Sequence, residues 1–313
     1  HRYSPETNMR AVELYEQALA RTPDDPLILS DYAIAKLKEV MYSDNSQTSS
    51  DTVRAVADKA LAIAPDLPEA HLASGAVALG FGEVERAARE IRIAARGERR
   101  LADAYAKFGG LSLEVDRIEE GIKHLDVALS LEPRDLWPRT EIARAYELLG
   151  RPQIADEWFS EVPADPQLRP LYWVQRARMI YWRRDFESAR KLLAQQGDLA
   201  PVFRGKSILE SMENPAVFEE IVAHMDDNAR IGGAALRRTA MFRQIKAELL
   251  AFRGDEDAAI AAAVDAERAG LFDIAWCTRC PLLDALRKRK EFQEVMFRVG
   301  ERAARVRAAL GLT

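Results

Sequence analysis

Apolar residues recur at intervals of three and four along almost the whole chain, the spacing of one face of an α-helix. Ala11, Leu14, Tyr15, Ala18 and Leu19 show it first. Ser4 suits the cap of this helix, and Pro5 the first helical position, where its missing N–H costs nothing. Pro23 places the end near Arg21. Strands would need strict alternation and clusters of Val, Ile and Thr, and no run supplies them. The pattern predicts an all-α chain.

The helical segments repeat. Ala11, Tyr15, Ala18 and Pro23 define a spacing of Ala, a large apolar residue four on, Ala three on, and Pro five on. Val53, Ala57, Ala60 and Pro65 follow it with a small residue in the large slot. Ala87, Ile91 and Ala94 follow it without the Pro, and Gly121, Leu125, Ala128 and Pro133 with Gly leading. Ala155 and Phe159 begin another, with Val162 and Pro163 departing from the pattern; so do Ala189 with Leu193, and Ala259, Ala263 and Ala266. The steps from Ala87 to Gly121, Gly121 to Ala155 and Ala155 to Ala189 are equal.

That step, and the residues that mark it, resemble the tetratricopeptide repeat (TPR), whose period is about 34 residues. The other half of the pattern lies upstream in each unit: His71, Ser74 and Gly75; Tyr105, Phe108 and Gly109; Trp173, Arg176 and Ala177. Turns between the paired helices match at Phe81-Gly82-Glu83-Val84, Leu149-Gly150-Arg151, Arg184-Asp185-Phe186 and Arg253-Gly254-Asp255. Small residues let two antiparallel helices approach, the large one fills the gap to the neighbour, and Gly and Pro end the helices. The resemblance implies a right-handed α-solenoid of about seven helix pairs, a TPR superhelix.

Three segments follow from the departures. Residues 1–200 form the array, its first unit lacking an upstream helix, as expected of a chain that more protein precedes. The polar run at residues 43–51 lengthens the unit between Ala11 and Val53 beyond that step, and is expected to be a solvated, mobile insertion. Residues 201–235 form a divergent helical junction ending in a break at Gly232-Gly233. Residues 236–313 hold a last TPR-like unit and capping helices. The opening at Arg2-Tyr3-Ser4-Pro5-Glu6 and the tail from Ala269 resemble the entry and close of repeat regions in bacterial multidomain signalling proteins, Ser/Thr kinases or class III nucleotide cyclases. This implies a setting and assigns no catalytic residue.

Composition narrows the picture. The 48% apolar content excludes a disordered chain, and two Cys in 313 residues exclude a disulfide framework. No uncharged apolar run is long enough to span a membrane. Net charge is −5, which counts against nucleic acid as the general partner. Few Cys, 35 Arg against 10 Lys and no export signal lead us to expect a bacterial cytoplasm.

Few residues suggest chemistry. Cys277-Thr278-Arg279-Cys280 is the only thiol pair and the basis of an alternative thiol-redox reading, but it lacks the preceding strand of a redox motif. His71, His124 and His224 fit no metal or triad pattern, and Gly80-Phe81-Gly82 is a turn with no phosphate-binding context. No cofactor is expected. Two basic stretches stand out: Arg86, Arg89, Arg92 and Arg96 on one helix, and nine Lys or Arg against four acids over residues 279–307. Terminal helices of an array need a polar outer face, which such residues supply.

The leading expectation is a non-catalytic scaffold for a peptide or partner domain, with an arm that regulates its own upstream catalytic domain as the alternative. In the TPR family the first helix of each pair lines the concave face. Register then implies Trp137, Arg144 and Glu147 from one unit, and Arg178, Tyr181 and Trp182 from the next, as partner-binding residues. Arginines between aromatics suit a carboxylate-bearing peptide with an apolar anchor. The family's two-carboxylate clamp needs Lys and Asn where this chain has Leu72, Ala76, Ala106 and Gly110.

Overall fold

The structure, a computed structural model, describes residues 5–42, 48–160, 169–196, 208–231 and 235–312. Ser4, Val162, Pro163, Gly232, Gly233 and most of the 43–51 insertion lie outside these residues. Described residues form sixteen α-helices, with short 3₁₀ turns and no strand. In chain order the helices are α1 (Pro5–Leu19), α2 (Pro26–Tyr42), α3 (Ser50–Ile63), α4 (Pro68–Gly80), α5 (Val84–Arg96), α6 (Ala102–Glu114), α7 (Ile118–Leu131) and α8 (Leu136–Leu148). Then come α9 (Pro152–Trp158), α10 (Arg169–Arg183), α11 (Phe186–Gln196), α12 (Pro215–Ile231), α13 (Leu236–Arg253), α14 (Glu256–Arg268), α15 (Ile274–Arg279) and α16 (Lys290–Leu310). Among the described residues, no helix is long and apolar enough to cross a membrane.

The chain divides into two compact units. The first holds His1–Arg134, Ile231–Arg238 and Arg302–Thr313; the second holds Asp135–Arg230 and Thr239–Glu301. These units are discontinuous in sequence and do not follow the boundaries at 200 and 235 that the repeat pattern suggests.

In the first unit α2 pairs with α3, α4 with α5, and α6 with α7, with α1 packed on α2. The core between them is made of small and medium side chains, among them Ala33, Leu37, Val53, Ala57, Ala73, Ala76, Val77 and Phe81. Gly109 of α6 and Gly121 of α7 face each other so closely that a Cβ on either would lie within 2.9 Å of the other's carbonyl oxygen. The second unit repeats the motif with α8 and α9 and with α10 and α11, and a turn of the same kind joins α13 to α14. Ala155, Ala189 and Ala259 occupy its small-residue slot, all buried.

The repeat is clearest in the turns inside the pairs. Gly82, Asp116, Gly150 and Arg184 are evenly spaced along the chain, and all four have positive φ (86, 60, 68 and 55°). Gly254 takes the same role at φ 80°. In each turn the next residue's N–H returns to a carbonyl five residues back, as in Arg117 N to Ser112 O (2.8 Å) and Asp185 N to Ile180 O (3.2 Å). The left-handed residue itself bonds three back, as in Gly150 N to Glu147 O (2.9 Å). This Schellman geometry satisfies the last carbonyls of the first helix and reverses the chain. Asp116 and Arg184 hold the left-handed position without being Gly. Arg184 is held there by bonds from its guanidinium to Phe252 O (2.8 Å) and by stacking over the Phe252 ring at 4.6 Å. Within each unit the antiparallel helix pairs thus follow from a turn repeated in register. At the end of the insertion, Ser49 Oγ accepts from Thr52 N (3.1 Å) and caps α3.

Candidate functional site

The residues assigned to a concave face come from α8 and α10, the first helices of two pairs in the second unit. Asp135 caps α8 by accepting from Trp137 N (3.1 Å), which fixes where Trp137 emerges. Trp137 is half-buried. The other five are buried: Arg144 3%, Glu147 5%, Arg178 8%, Tyr181 2% and Trp182 2% exposed. Repeat register alone puts all six on an accessible surface. The structure corrects this for these five, because residues of α13, and Asp273 just before α15, lie against Arg144, Arg178, Tyr181 and Trp182, and Arg183 of α10 engages Glu147.

The buried charges are satisfied internally, as burial requires. Arg178 Nε and Nη2 both donate to Glu248 of α13, at 2.8 and 2.5 Å, and Trp182 Nε1 donates to the same carboxylate at 2.8 Å. The Arg178 guanidinium lies 5.0 Å from the Trp182 ring centre. Burial works to depress the Arg178 pKa, but the Glu248 charge and hydrogen bonds outweigh it and hold the value above ordinary. Arg144 Nε donates to Glu141 (2.9 Å) and its Nη1 to Asp273 Oδ2 (3.0 Å). Asp273 Oδ1 also accepts from Trp276 N (2.9 Å), capping α15. Glu147 accepts from Arg183, which reaches Asp156 and Pro152 O as well and so ties α8, α9 and α10 together. Tyr181 packs on Phe252 with ring centres 4.2 Å apart; burial pushes its hydroxyl up to about 12.

Chemically, this arrangement is a set of interlocked Arg–carboxylate pairs between helices. Its carboxylates, Glu248 and Asp273, stand where a peptide's carboxylates were expected. They are 70 residues from Arg178 and 129 from Arg144 respectively, so no local pattern announces them.

Cys277 and Cys280 are both free, and both are 0% exposed. Burial pushes each thiol well above its usual range, with the Asp273 charge adding at Cys277 and the Glu248 charge at Cys280. Arg287 fixes the turn by donating to Cys277 O (3.1 Å) and Cys280 O (2.7 Å). A reactive thiol needs thiolate character and access, and the fold provides neither, which corrects the thiol-redox alternative. A disulfide-exchange reagent is expected to label neither Cys in native buffer and both in denaturant; rapid native labelling would overturn this. Neutral burial also stabilises the fold fully below the ordinary thiol pKa of 9.0, and the contribution is lost as pH rises above it.

The histidines have structural partners. His71 bridges Glu90 (2.6 Å) and Pro65 O (2.8 Å), His124 packs 4.3 Å from the Phe108 ring, and His224 bonds with Asn228. Among the described residues no group of three His, Cys, Asp or Glu is placed to hold a metal ion.

No family model matches the chain. The type IV pilus assembly protein PilF of Pseudomonas aeruginosa is 29% identical over 190 residues, covering 58% of this chain and 70% of that protein. Among solved structures, P. aeruginosa PilF aligns over 92% of this chain and 97% of its own at 18% identity, with a TM-score of 0.40. Yeast Tom70 aligns over 92% and 62% at 14% identity and TM-score 0.47. A tetratricopeptide repeat protein from Parabacteroides merdae aligns over 85% and 98% at 12% identity and TM-score 0.44.

Proposed function

We propose that the chain is a non-catalytic protein-interaction scaffold of the helical-repeat type. The observation that carries this is the left-handed turn recurring at equal intervals, at Gly82, Asp116, Gly150 and Arg184. A chain that repeats one helix pair in register builds extended surface from short-range contacts, which suits recognition of another polypeptide. The sequence similarity to a pilus assembly protein supports the same reading. The wider setting we propose is a regulatory or assembly module that docks a partner protein, or a catalytic domain of the same polypeptide.

Within the second unit, the division of labour follows burial. Trp137 is the partner-contacting residue. Arg144, Glu147, Arg178, Tyr181 and Trp182 lock together the helices that present it. Affinity capture with the full chain tests this. A partner retained by the wild type and lost with Trp137→Ala, at unchanged helical circular dichroism, is the expected result. Equal retention by the variant rejects the assignment of Trp137, and absence of any partner specific to the folded chain rejects the scaffold reading.

A further inference from the structure

A different face, in the first unit, carries its own evidence. On α5 the residues Glu85, Arg89, Arg92 and Arg96 fall within an arc of about 60° at 3.6 residues per turn, forming one stripe. Arg89 and Arg96 are exposed and Arg92 half-buried. Nearby arginines are paired: Arg86 with Asp58 and Glu83, Arg54 with Glu83, Arg99 with Glu69. Arg89, Arg92 and Arg96 make no ion pair among the described residues, in a chain whose acids outnumber its bases by 50 to 45. The single acid on the stripe is already engaged. Arg305 Nε donates to Glu85 (2.8 Å), and that bond, with Arg302 nearby, holds the Glu85 carboxyl below its usual range.

The end of α16 lies against the stripe. Gly311, with φ +70°, turns the chain beside Arg92 and Arg96, and a Cβ there would lie 3.2 Å from Arg92 Nη1 and 3.6 Å from Arg96 Nη2. Glycine at 311 lets the chain turn close against both guanidiniums, while Arg89 and Arg96 remain exposed. Ile93, 42% exposed, borders the stripe. Like charges at i,i+3 and i,i+4 oppose helix formation, and no carboxylate among the described residues forms an ion pair with these three arginines.

We propose that the stripe Arg89–Arg92–Arg96, bordered by Ile93, docks an acidic peptide segment of a partner protein. Carboxylates spaced along that segment match the guanidiniums, and an apolar side chain of the segment rests on Ile93. A phosphodiester backbone would leave Ile93 unmatched and would meet the net −5 of the chain over a longer path.

Fluorescence anisotropy of the full chain with a labelled peptide, Glu-Glu-Leu-Glu-Glu-Leu-Glu-Glu, tests this at low ionic strength. The triple variant R89Q/R92Q/R96Q is expected to bind at least about tenfold more weakly than wild type, an effect well beyond assay scatter. Exposed Arg134→Gln is expected to bind as wild type. A peptide with Ser for Leu is expected to bind more weakly to wild type. Trp137→Ala leaves this binding unchanged, which separates it from the partner contact assigned to Trp137. Failure of the wild type to bind, equal binding by the triple variant, or tighter binding of poly-dT or phosphatidylserine vesicles than of the peptide overturns the proposal. Should the triple variant lose its helical circular dichroism, Arg92→Gln decides: a shallower salt dependence of peptide binding upholds the proposal and an unchanged slope overturns it.

Discussion

Arg178→Ala should cost about 3–5 kcal/mol of stability, because it strands a buried carboxylate. Glu248 is 2% exposed and its charge is met by the two-pronged Arg178 guanidinium together with Trp182 Nε1. Removing the guanidinium leaves Glu248 either charged in a low-dielectric interior or protonated at a cost, and opens a cavity beside Trp182. Arg178→Lys is expected to fall between, since an ammonium cannot reproduce the paired N–H geometry. The double variant R178M/E248L is expected to recover part of the loss, because it removes both buried charges while leaving Trp182 Nε1 without its acceptor. Urea unfolding followed by circular dichroism measures all three. Wild-type stability for Arg178→Ala, or a double variant no better than that single one, would show that the ion pair does not hold α10 to α13.

This result bears on what the sequence could disclose. An Arg flanked by aromatic residues on the first helix of a pair has the same signature whether it awaits a ligand or is already satisfied. Arg178, Tyr181 and Trp182 carry that signature, and their acid lies in the middle of α13, between Ala247 and Leu249 in an otherwise apolar stretch. A lone Glu amid Ala and Leu on a helix is the one local hint that a buried cation lies elsewhere in the chain. Asp273 offers less, since its visible role is to cap α15 and its bond to Arg144 spans 129 residues. The repeat itself is legible because each helix pair is specified by residues close in sequence. The slot at Ala87, Gly121, Ala155 and Ala189 is buried throughout, as a small-residue contact requires. Turns with Gly82, Gly150 and Gly254 are readable from glycine alone. Those at Asp116 and Arg184 carry no glycine and are readable from register alone, each lying one repeat step from Gly150.

The glycine contact between α6 and α7 gives the second large effect, and here the sign is informative. In an isolated helix Gly→Ala is favourable by about 1 kcal/mol. In this pair a Cβ at Gly121 would lie 2.8 Å from Gly109 O and 2.5 Å from Leu113 Cδ2. The leucine tip can rotate away, but the backbone oxygen moves only if the helices separate. Gly121→Ala is therefore expected to destabilise despite its propensity gain. Gly121→Val, with more volume and less propensity, should lose about 3 kcal/mol, at the upper end of overpacking costs. Gly150→Ala is the reference: nothing lies within 4 Å of its Cβ position, so the loss is the left-handed backbone term alone, about 1 kcal/mol. Urea midpoints for the three variants rank the effects. A Gly121→Ala protein more stable than wild type would mean that α6 and α7 tolerate wider separation. The close approach would then not be what keeps Gly at position 121.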